Sequence, residues 1–95
     1  MGKIQKLKAF DITRHLDSEE AIAEYLSQVL HDGDNDELIR SLSHIAKAKG
    51  MAAVAKESGL GRESLYKALT VGSQPRFETI SKVINALGLK ISVHA

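Results

Sequence analysis

Residues 50–69 read GMAAVAKESGLGRESLYKAL. Two short apolar patterns meet at Gly59-Leu60-Gly61. The first ends in Val54 and Ala55, and the second runs through Leu65, Ala68 and Leu69. A steep crossing of two helices over a turn of three or four residues is a helix-turn-helix. It needs a small residue inside the first helix, and Ala55 is one. It needs a turn residue that accepts positive φ, and Gly59 does so without steric cost. An apolar plug follows at Leu60, and Leu65 anchors the second helix. These offsets predict a helix-turn-helix over about 51–69; an ordinary helical hairpin is the alternative. The second helix keeps Arg62, Glu63, Tyr66 and Lys67 for its outer face. The N-terminal part of a recognition helix points into the major groove. There Arg62 can pair with guanine O6 and N7, and Glu63 can accept from cytosine N4. Tyr66 and Lys67, one turn on, can reach phosphates or a thymine methyl, and Arg76 is a further phosphate candidate. Taken singly, each of these side chains also reads as a solvated surface residue.

Working outward, helical spacing recurs on both sides. Asp17 reads as an N-cap with Glu20 as its capping-box partner. Ile22, Tyr25, Leu26, Val29 and Leu30 follow, and His31-Asp32-Gly33 stops the helix. Asn35 or Asp36 can cap a second helix, with Leu38, Leu42, Ile45 and Ala46 as its stripe and Ile39 alongside. Gly50 closes it after Lys47 and Lys49, cations favoured at a C-terminal end. Beyond the opening stretch, Pro75 suits the start of a helix carrying Phe77, Ile80, Val83, Ile84 and Leu87. Gly88 ends it. Leu89, Ile91 and Val93 then alternate with polar residues, which predicts a short strand over about 89–94.

The expected fold is therefore all-α: five helices and a short C-terminal β-strand. Residues 1–16 form an N-terminal arm, with Phe10 and Ile12 in a short extended piece, and 17–95 form one domain. The expected core is Ile22, Leu26, Val29, Leu38, Leu42, Ile45, Val54, Ala55, Leu60, Leu65, Leu69, Phe77, Ile80, Ile84 and Leu87.

At 95 residues the chain can hold a single core without staples. It has no cysteine, which excludes disulfides and thiolate chemistry. No apolar run approaches the ~18 residues that span a bilayer. The N-terminus lacks the apolar stretch of a secretory signal. A cytoplasmic protein with no membrane association is expected. His15, His31, His44 and His94 are scattered, so no metal site and no cofactor are expected. The acids come without an accompanying base, nucleophile or phosphate loop, so the chain is not read as an enzyme.

The net charge of +1 hides a partition: +3 over residues 1–16, −8 over 17–37 and +6 over 38–95. The acidic block is either a solvated helix pair or a surface for a basic partner.

GMAAVAKESGLGRESLYKAL together with QPRFETISKVINALGLKISV resembles the lambda-repressor-like helix-turn-helix proteins of the addiction-module antidote type. Within them the chain is similar to the HigA-like, prophage-associated branch. ITRHLDSEEAIAEYLSQVLHDGDNDELIRSLSHIAKAKG resembles that branch too, and the likeness runs from about Phe10 to Val93. The resemblance implies an antitoxin that represses its own operon and neutralises a RelE/HigB-like mRNA-nuclease toxin. Its partners would be double-stranded DNA, as a palindromic operator, and the RelE-like toxin. Many members have Ser or Thr where this chain has Gly61, so a capping hydroxyl is given up. On this reading Glu19, Glu20, Glu24, Asp32 and Asp34 would meet the toxin. A strand carrying Leu89, Ile91 and Val93 has no obvious mate in the chain. A homodimer in which it pairs antiparallel with its copy, or packs beside the last helix of the copy, is the favoured solution; the toxin's sheet or the N-terminal segment is the competing one. Two other functions stay open: a solitary transcriptional regulator, and an interaction module without DNA binding.

Overall fold

The structure is a computed structural model that describes residues 19–95. The expected arm, the Asp17 cap and the Phe10–Ile12 piece lie outside the described residues. Five helices follow in order: α1 (Glu19–Asp32), α2 (Asn35–Lys49), α3 (Met51–Ser58), α4 (Arg62–Ala68) and α5 (Phe77–Ala86).

Each helix exists because an apolar stripe at helical spacing has somewhere to go. In α1, Ile22, Leu26 and Val29 are buried; in α2, Ile39, Leu42, Ile45 and Ala46 are. These two helices pack together, α2 packs on α3, and α3 packs on both α4 and α5. The core is thus centred on α3, whose Val54 is fully buried. Ser41 is the buried polar residue of this core, and its hydroxyl donates to Tyr25 Oη at 3.0 Å. That bond ties α2 to α1 and removes the cost of burying the group. Lys49 Nζ donates to Ala86 O at 3.1 Å, holding the end of α2 to the last turn of α5. The nearby Lys49–Glu57 pair is long, at 3.9 Å, and half exposed, so it adds little.

Five expectations need correction, the last of them the C-terminal strand. The α2 cap is Asp34, whose carboxylate accepts from Glu37 N–H at 3.1 Å, rather than Asn35 or Asp36. It reaches the N3 amide because it already sits in extended backbone, φ −93° and ψ 106°. The last helix starts at Phe77, not Pro75, with Arg76 in the cap position. Phe77 is not core: it is 72% exposed. It leans along the row of Ser81 and Asn85, on the flank of the buried face formed by Ile80, Val83, Ile84 and Leu87. Leu38 and Leu60 are only partly buried at the core's edge, while Ile39, Ala46, Ala68, Val83 and Ala86 complete it.

The described residues contain no strand. Leu89 N–H donates to Ile84 O at 3.2 Å and Leu89 packs against the core. Beyond it Val93 is 92% exposed. A strand needs a neighbouring strand to receive its backbone groups, and no described segment offers one.

Candidate nucleic-acid interface

α3 and α4 meet across three residues. Gly59 adopts the left-handed conformation, φ 77° and ψ 5°, which an L side chain would resist. The chain therefore reverses at that residue, and Leu60 follows packed against the core. Gly61 is different. It lies in extended backbone at φ −68° and ψ 158°, caps α4 without a side chain, and has open space where a Cβ would stand.

α4 spans seven residues, about two turns. Leu65 and Ala68 face inward, with Leu69 just beyond, and Leu65 is fully buried. Glu63, Tyr66 and Lys67 turn away from Leu65 and Ala68, and Arg62 stands on the flank at the start of the helix. All four are exposed, Tyr66 at 46%. Among the described residues none of their side chains has an ion pair or hydrogen bond. Arg76 is exposed too, in the cap position of α5 rather than on α4. The outer face of α4 is thus polar and unengaged, on a helix fixed from behind by leucines.

Hydroxyls bracket this helix. Ser58 Oγ donates to Ala55 O at 3.2 Å and accepts from Leu60 N–H at 3.3 Å. Thr70 Oγ1 donates to Tyr66 O at 2.8 Å, and Ser73 Oγ to Ala68 O at 2.9 Å. Reading the residues in order misses these contacts. Serine beside a glycine turn is the local signal that could have found Ser58.

The acidic candidates are not brought together. Glu19 and Glu20 occupy the first turn of α1, and Glu19 lies beside Gly88, where an added side chain would run into its carboxylate. Asp32 ends the same helix, roughly 20 Å further along at 1.5 Å per residue. Glu24 is exposed between them. Asp34 is engaged in capping α2. These acids belong to α1 and its turn, and α1 packs mainly on α2.

Leu89 and Ile91 line an open groove with Phe77, Ser81, Asn85, Gly88 and Lys90, while Val93 lies exposed beyond it. Among the described residues no group of three His, Cys, Asp or Glu side chains could hold a metal. No described helix is long and apolar enough to cross a membrane.

Residues 6–95 match the family of probable addiction module antidote proteins. The chain belongs to this family. A relative from Haemophilus influenzae, itself described only as an uncharacterized protein, is 47% identical over 90 residues. That match covers 94% of this chain and 92% of the relative. No solved structure matches the chain. Membership in the antidote family supports the antitoxin class and implies a toxin partner of some kind.

Proposed function

We propose that this antidote is a cytoplasmic, DNA-binding antitoxin of the HigA-like, lambda-repressor-like kind. It represses its own operon, neutralises a RelE/HigB-like mRNA-nuclease toxin, and acts by binding rather than catalysis. The observation that carries the DNA reading is α4. A glycine turn presents a short helix whose exposed side holds Arg62, Glu63, Tyr66 and Lys67, none of them with a side-chain partner among the described residues.

In this account α3 and α4 form the helix-turn-helix, and α4 lies in the major groove. Arg62 reads guanine and Glu63 accepts from cytosine. Tyr66, Lys67 and Arg76 hold phosphates or a thymine methyl, which fixes register. The toxin meets the acidic side on α1, where Glu20 and Glu24 complement the basic surface an RNA-cleaving partner must present. Two copies form a homodimer by pairing residues 89–94 across a two-fold axis. That dimer would set two α4 helices ~34–36 Å apart for a palindromic operator.

The test has two arms. The protein should bind a duplex taken from directly upstream of its own gene, and lose affinity steeply as salt rises. It should also co-purify with the product of the adjacent gene. Binding no tighter than to unrelated duplex would remove the operator reading, and failure to hold the neighbour would remove the toxin reading.

A further inference from the structure

Helix α4 is poorly equipped to hold itself in place. It has only seven residues, and so short a helix gains too few bonds to offset its nucleation. Its N-cap is glycine, without a capping side chain. Its extensive packing is with α3. The direction in which α4 projects its outer face therefore depends on the turn from α3 and on the loop that leaves its far end.

We infer that Ser58 and Ser73 are positioning residues for DNA recognition, pinning the two ends of α4 so that Arg62, Tyr66 and Lys67 meet the groove in one orientation. The inference rests on the DNA-binding reading. Ser58 makes two bonds with one hydroxyl. It donates to Ala55 O, inside α3, and accepts from Leu60 N–H, in the turn. The backbone on both sides of Gly59 is thereby tied to a single atom. At the other end Ser73 Oγ donates to Ala68 O, one of the terminal carbonyls that helical bonding leaves open. Ser73 N–H donates to Thr70 O at 3.0 Å, so the same residue also closes the loop. Both serines are partly buried, and both lie outside α4, Ser58 at the end of α3 and Ser73 in the loop that follows. Neither is needed as a contact to DNA; each acts through the helix it holds.

The experiment uses the full chain and the duplex from directly upstream of its gene. Ser58→Ala and Ser73→Ala should each weaken binding about five- to tenfold, the scale of one lost hydrogen bond with its partner left unsatisfied. The slope of log affinity against log salt should stay as in the wild type, because no phosphate contact is removed. The thermal midpoint should fall by no more than the several degrees that one lost hydrogen bond gives in a domain of this size, and Ser58→Thr should restore most of the affinity. Alongside, amide exchange in the free protein should accelerate at Leu65, Tyr66 and Lys67 but not in α2 or α5. Variants that bind as the wild type does would overturn the inference. So would exchange that accelerates in α2 and α5 as much as in α4, or unchanged exchange in α4. If the wild type itself ignores the duplex, the DNA reading falls; exchange then still decides whether the two serines hold α4.

Discussion

Gly59 and Gly61 flank the same leucine and do different work. Gly59 supplies a backbone conformation that only glycine adopts cheaply, whereas Gly61 sits where any residue could. Gly59→Ala should therefore destabilise the fold by about 1–2 kcal/mol, measured by denaturant titration. Gly61→Ser should be neutral or stabilising by a few tenths of a kcal/mol, since serine caps a helix slightly better than glycine. Equal losses for both would mean that the turn does not reverse at Gly59. At the same scale, Lys67 is assigned to phosphate. Lys67→Ala should weaken binding to every duplex alike and reduce the salt slope by about 1. A change confined to one base position would instead make Lys67 a base reader.

Among the elements, α4 is the one whose burial is most concentrated: a single fully buried leucine anchors it to the core. Leu65→Ala should cost about 2–5 kcal/mol in thermal or denaturant unfolding. The C-terminal segment has the opposite character. Residues 89–95 alternate in hydropathy, yet only Leu89 is packed, and Ile91 and Val93 stay exposed. If the segment pairs with its copy, deleting 89–95 should convert a dimer to a monomer in solution-mass measurements. A truncated protein that remains dimeric would move the interface elsewhere, with the exposed face of Phe77 on α5 the next place to look.

These elements also explain what was legible beforehand. Helix ends could be read from Gly33, Gly50, Gly59 and Gly88 because each is a local requirement of the backbone. The buried stripes followed from spacing. Phe77 could not be read, because periodicity gives the face of a helix but not where the neighbouring body stops. Ser58 left only the local signal of a serine beside a glycine turn, and Ser73 left none, because its bond to Ala68 O exists only after the loop has folded. The strand over 89–94 could not be decided because its mate, if it has one, is not among the described residues.

Across the whole molecule, charge is divided by element. The acidic block spans α1 and the start of α2, while Arg62, Lys67 and Arg76 lie beyond α3. α1 packs mainly on α2 and α4 mainly on α3, so the proposed account puts its two partners on different helices. Lysines at Glu20 and Glu24 should slow association with the toxin at low salt and leave DNA binding intact. Unaltered rates would make these acids a solvated face only. The central claim is that α4 reads bases through Arg62. It is tested most directly by measuring affinities for the upstream duplex and for its single-base variants, with wild type and Arg62→Ala side by side. Arg62→Ala should lose about 1–3 kcal/mol on the native duplex and lose discrimination at one base position, keeping it at the others. An Arg62→Ala protein with wild-type affinity and wild-type preference at every position would contradict the account.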